Sequence, residues 1–138
     1  MDVVAFESRN GVRLELRRAA TPHRLADELP TWQVLLSGTG LTAGLVAPEA
    51  TWEPRSLAGF VGDIADDWRG WDGDRTWQSE EAELRLTARH NGTNTVLICV
   101  EVEDGAPPRW QFEAKLELDP GAFEQLAKDL GELGEFPA

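Results

Sequence analysis

Two histidines, one cysteine and a knot of aspartates are the residues with chemistry to offer. His23 and His90 lie far apart in sequence, and neither has the spacing of a metal ligand set. His90 precedes Asn91-Gly92, where polar residues decorate a turn. Cys99 stands between Ile98 and Val100, so strand alternation places it with Leu97 and Glu101 on the wetter face. A catalytic thiolate needs a basic, partly open setting and a partner histidine; a lone strand cysteine packs as a small hydrophobe. One cysteine also rules out an internal disulfide and a cysteine-rich zinc site. The densest acidic run is Asp63, Asp66, Asp67, Asp72 and Asp74. Asp72-Gly73-Asp74 has the form of the opening of a calcium loop, but the later ligands and the closing glutamate are missing.

Tryptophans interleave with these acids at Trp68, Trp71 and Trp77. Aromatic anchors inside a charged rim are common in protein interfaces. The segment is therefore read as a surface for a basic partner, carried by Asp66, Asp67, Trp71, Asp72, Asp74 and Trp77. The competing reading is a solvated loop whose tryptophans pack back onto the sheet. Nothing else has the pattern of a reaction centre. No carboxylate pair stands out for glycoside chemistry among 25 acids. Gly38-Thr39-Gly40 lacks the lysine and following helix of a phosphate loop. There is no nucleophile elbow, and Asn91-Gly92-Thr93 is a sequon that reads as a turn. No catalytic, cofactor-binding or metal-ligating residue is expected.

Charge and composition narrow the partners. The 138 residues carry a net charge of −12. Such a surface repels phosphate backbones and anionic membranes, and it steers basic proteins inward. Nucleic acid and membrane are thus not expected partners, whereas a basic protein such as a toxin domain is. Neither monomer nor homodimer is favoured. Apolar residues make up 41% of the chain, enough for one core and a single domain over 1–138. No apolar run is long enough to cross a bilayer. The start, Met1-Asp2-Val3-Val4-Ala5-Phe6-Glu7, has no basic n-region or long apolar stretch, so a cytoplasmic location is expected.

The elements that must position these residues follow from periodicity. Asn10-Gly11 signals a hairpin, after which Val12, Leu14 and Leu16 alternate with Arg13, Glu15 and Arg17. Residues 19–30 read as a connection ending at Pro30. Thr31–Ser37 and Leu41–Ala47 form a second, more continuously apolar hairpin about Gly38-Thr39-Gly40. Beyond Pro54, Leu57, Phe60, Val61, Ile64, Ala65 and Trp68 share one face of a helix over 56–68, capped by Ser56 and stopped by Gly70. Gly59 and Gly62 suggest close packing of that helix onto a sheet, or a weak middle. Ala82, Leu84, Leu86 and Ala88, then Val96, Ile98, Val100 and Val102, then Trp110, Phe112, Ala114, Leu116 and Leu118 give a three-stranded meander. Its wet face sets Arg85 and Arg89 opposite Glu101 and Glu103. Asp119-Pro120 starts a helix over 120–133 on Phe123, Leu126, Ala127, Leu130 and Leu133. Gly131 or Gly134 ends it, and 135–138 reads as a frayed tail. The expected fold is α+β: one antiparallel sheet of six to eight strands, hairpins plus a C-terminal meander, with both helices on one face.

The run from Trp77 through Ala82-Glu-Leu-Arg-Leu-Thr-Ala-Arg-His-Asn-Gly, Val96-Leu-Ile-Cys-Val-Glu-Val, Trp110-Gln-Phe and Leu118-Asp-Pro-Gly resembles a family of uncharacterised bacterial domains from GC-rich genomes. That family is in turn similar to the WapI-type immunity proteins of contact-dependent toxin systems. Phe60-Val61-Gly62-Asp63 and the Trp68-to-Trp77 segment fit the same layout, and the resemblance spans roughly residues 30–133. It implies binding and neutralising a toxin without catalysis. The expectation is a non-enzymatic acidic binding protein of this kind. A structural or regulatory interaction module, and a small-ligand binder or enzyme without a recognisable motif, stay open as alternatives.

Overall fold

A computed structural model of the chain describes residues 2–19, 31–49, 56–105, 107 and 109–135. His23, the connection over 20–30, Pro54 and the tail from 136 lie outside the described residues.

Among the described residues, eight strands and two α-helices run in the order β1 (Val4–Glu7), β2 (Arg13–Arg18), β3 (Thr31–Gly38), β4 (Leu41–Pro48), α1 (Leu57–Asp66), β5 (Arg75–Gln78), β6 (Leu84–His90), β7 (Val96–Glu103), β8 (Gln111–Leu118) and α2 (Phe123–Glu135). All the strands pair with sequence neighbours, antiparallel, but not in one sheet. They form two four-stranded meanders, β1-β2-β3-β4 and β5-β6-β7-β8. The expected single sheet of six to eight strands is corrected to this pair. The break falls where α1 and its loops separate β4 from β5. The alternation in each hairpin reports local pairing only, and whether two meanders share an edge depends on contacts distant in sequence.

The sheets meet at two seams. At one, the β1–β2 turn lies along β8: Arg9 N–H donates to the Glu117 carbonyl at 3.1 Å. Glu117 N–H donates to Ser8 Oγ at 2.7 Å, and Asn10 Nδ2 donates to the Lys115 carbonyl at 2.8 Å. That turn depends on Gly11, whose φ of +89° suits a residue without Cβ. The Arg9 guanidinium then reaches Thr95 Oγ1 at 2.8 Å and the Asn94 carbonyl at 3.3 Å. At the other seam, Glu80 N–H donates to the Pro48 carbonyl at 2.9 Å.

Inward-facing residues of both sheets and the apolar stripes of both helices make one core, including Phe6, Leu16, Trp32, Trp77, Leu86 and Val100. Phe6 meets Phe123 of α2 edge-on, with ring centroids 6.5 Å apart. The helices pack on each other, and a Cβ at Gly62 would stand 3.9 Å from Ala127 Cβ. The small residue thus faces α2, where a sheet was the expected neighbour.

Ser56 caps α1 by accepting from Gly59 N–H at 3.0 Å. The helix stops at Asp66, two residues short of the expected end at 68, because Asp67 leaves helical geometry at φ −104°, ψ 37°. Asp119 caps a 3-10 turn over Pro120–Ala122, accepting from Gly121 N–H at 2.8 Å, before α2 proper begins. α2 runs through Gly131 and Gly134, neither of which ends it as expected. β6 starts at Leu84, and Ala82, expected to be its first inward residue, sits in the β5–β6 loop at φ +59°. Arg85 does face Glu101, at 3.5 Å. Arg89 lies opposite Leu97 and pairs with Asp74 at 2.7 Å, so the expected Arg89–Glu103 partnership does not form.

Candidate functional site

The acidic-aromatic segment between α1 and β5 is held by side chains from three elements. Past the end of α1, the chain turns back with Gly70 N–H bonded to the Asp67 carbonyl at 2.9 Å. Gly70 adopts φ +134° and passes so close to β6 that a Cβ there would stand 3.4 Å from His90 Nδ1. His90 is buried at the end of β6, and both ring nitrogens are engaged. Gly92 N–H donates to Nδ1 at 2.8 Å, so Nδ1 carries no proton, and Nε2–H donates to the Trp68 carbonyl at 2.9 Å. The imidazole fastens the segment to the β6–β7 turn; it is not presented to solvent for acid–base work. Trp71 lies edge-on to the same ring at 5.5 Å, and its indole N–H donates to the Gly73 carbonyl at 3.1 Å.

Arg75 is the second clamp. Its guanidinium lies 4.6 Å from the Trp71 ring centroid, donates to the Asp63 carbonyl at 3.3 Å and pairs with Asp67 at 2.6 Å. Together with the Arg89–Asp74 pair, this divides the acids into two kinds. Asp67 and Asp74 are held by arginines. Asp66 and Asp72 are exposed, and among the described residues no hydrogen bond or ion pair engages their carboxylates. Asp63, Asp66, Asp67, Asp74, Arg75 and Thr76 line an open concavity of about 630 Å³. Among the described residues, no group of three or more His, Cys, Asp or Glu is placed to hold a metal ion.

The tryptophans divide in an order that their spacing does not reveal. Trp77 lies on the inner face of β5 and is 1% exposed, so it is a core residue. Trp71 is half-buried between His90 and Arg75. Trp68 is 52% exposed, with the Arg69 guanidinium 5.0 Å from its ring centroid. Helical periodicity had placed Trp68 on the buried stripe; α1 ends before reaching it, and the phase is lost. The structure therefore brings Asp66, Asp67, Trp71, Asp72 and Asp74 to one surface segment, adds Trp68 to it and withdraws Trp77.

Two further features lie away from this segment. Cys99, half-buried on the outer face of β7, has its thiol pushed up to about 11 by burial, by a hydrogen bond to Glu113 and by the charges of Glu113 and Glu101, with Lys115 opposing. Such a thiol stays protonated near neutrality and is a poor nucleophile. Glu49, which the sequence reading passed over, is 4% exposed. Its carboxylate accepts from Trp32 Nε1 at 3.0 Å and from Leu57 N–H at 3.0 and 3.2 Å, tying β3 to the first turn of α1.

Residues 6–135 match a family of unknown function. The chain belongs to DUF6228. Neither the curated proteins nor the solved structures contain a match to it. This membership agrees with the resemblance to an uncharacterised domain family. Among the described residues, no helix is long and apolar enough to cross a membrane.

Proposed function

We propose that this DUF6228 chain is a non-catalytic binding protein that receives a basic protein on the 66–74 surface, in the manner of an immunity protein meeting a toxin domain. The observation that carries the reading is the combination of solvent-facing Trp68, Asp66 and Asp72 on a segment already clamped by His90, Trp71 and Arg75. A surface rigid before binding loses little conformational entropy on association. An exposed tryptophan beside exposed carboxylates supplies an anchor and a complementary field for a basic partner. The net charge of −12 adds long-range attraction of the same sign.

The test is rescue. The chain is co-expressed with a toxic basic domain encoded beside its gene, and growth is followed. Wild-type chain restores growth, and Asp66→Lys combined with Asp72→Lys abolishes the rescue while circular dichroism stays unchanged. Asp67→Ser and Asp74→Ser, whose carboxylates serve internal pairs, weaken rescue less. Failure of the wild-type chain to rescue, or full rescue by the double lysine variant, overturns the proposal.

A further inference from the structure

Two meanders have four outer edges, and an edge strand offers unpaired backbone groups to any other strand unless something blunts it. Three of the four are blunted. β1 and β5 are four residues long. β8 carries Glu113, Lys115 and Glu117 on its outer face and is covered by the β1–β2 turn through the Arg9, Ser8 and Asn10 bonds. β4 is different. It is eight residues long, and no charged residue occurs between Glu28 and Glu49.

The register shows which groups β4 turns outward. A two-residue loop joins Gly38 to Leu41, which makes that flanking pair the hydrogen-bonded one. Pairs then alternate, so Leu41, Ala43, Leu45 and Ala47 bond to β3, while Thr42, Gly44, Val46 and Pro48 direct their backbone groups to the outer edge. Pro48 bears this out, because its carbonyl accepts from Glu80 of the other sheet. That bond closes the edge at Pro48. Thr42, Gly44 and Val46 are exposed, Val46 at 53%.

We infer that the Thr42–Val46 edge pairs antiparallel with the same edge of a second copy of this chain, joining two first sheets into one eight-stranded sheet. The pattern is self-complementary about Gly44. A two-fold axis there sets Gly44 against the partner's Gly44 and Thr42 against the partner's Val46, each pair exchanging both of its backbone bonds. Charge selects the occupant. Two chains of net charge −12 repel each other over most of their surface, and a copy can approach most closely along a strand that itself carries no charge. The partner must also offer an open, uncharged strand edge, as β4 does. The inference uses none of the 66–74 residues, so it stands or falls apart from the proposed function.

Size-exclusion chromatography with light scattering on the full chain tests it. The wild-type chain runs at twice the 15.3 kDa chain mass at micromolar concentration. Thr42→Lys with Val46→Lys sets lysine against lysine across the axis and reduces the mass to that of one chain, with the circular dichroism spectrum retained. Thr42→Lys with Val46→Glu sets each introduced lysine against the partner's introduced glutamate and keeps the doubled mass, with an added sensitivity to salt. A wild-type chain that stays at 15.3 kDa at all concentrations overturns the inference. So does a doubled mass that survives the two lysines, or equal disruption by both double variants.

Discussion

Replacing Glu49 is the sharpest probe of how this fold is held, because one buried carboxylate serves both β3 and the first turn of α1. Glu49→Ala removes the acceptor of Trp32 Nε1 and of Leu57 N–H. Trp32 and Leu57 are themselves buried, so neither donor finds water in compensation. Each buried donor left without its acceptor costs about 1–3 kcal/mol. The expected loss is therefore about 3–5 kcal/mol, a large share of the roughly 5–15 kcal/mol of a typical domain. Glu49→Gln keeps one carbonyl acceptor and loses about half as much. Urea unfolding followed by tryptophan fluorescence and circular dichroism measures both. A cycle with Trp32→Phe isolates the shared bond: the double variant loses less than the sum of the singles, by about 1–2 kcal/mol. A loss under 1 kcal/mol for Glu49→Ala, or strict additivity with Trp32→Phe, refutes the reasoning.

Three more outcomes are expected. Ala82→Gly relieves the left-handed backbone at φ +59° and stabilises the chain by about 0.5–1 kcal/mol in the same urea assay, net of the extra entropy of unfolded glycine; a neutral or destabilising result contradicts that conformation. His90→Ala orphans Gly92 N–H and the Trp68 carbonyl, costs about 2 kcal/mol and speeds hydrogen exchange over 68–73 more than elsewhere; uniform exchange argues against the clamp. Burial, with the Glu113 carboxylate, pushes the Cys99 thiol up to about 11 from its ordinary 9.0. A raised folded value means that its contribution to stability is complete below pH 9 and is lost as pH rises from there through 11. Thiolate absorbance against pH reads the titration, and Glu113→Gln lowers it; a midpoint at the ordinary value refutes the assignment of burial and Glu113 as causes.

The sequence by itself determined most of what repeats within a few residues. Alternation at Leu14 and Leu16, and from Val96 to Val102, located strands and their inward faces, because a pleated strand buries every second side chain. Ser56 and Asp119 marked where helical structure begins, because a cap acts on backbone groups two or three residues away. The acidic-aromatic segment was legible for the same reason, as composition over a short window. Tertiary structure alone decided what depends on which distant surfaces meet. It divided eight strands into two sheets and made Glu49 a buried strut. It gave Asp67 and Asp74 to Arg75 and Arg89 while leaving Asp66 and Asp72 to solvent, and it exposed Trp68 while burying Trp77. Each of these turns on partners many positions away, or on the one residue at which a helix stops, and local periodicity carries no record of either.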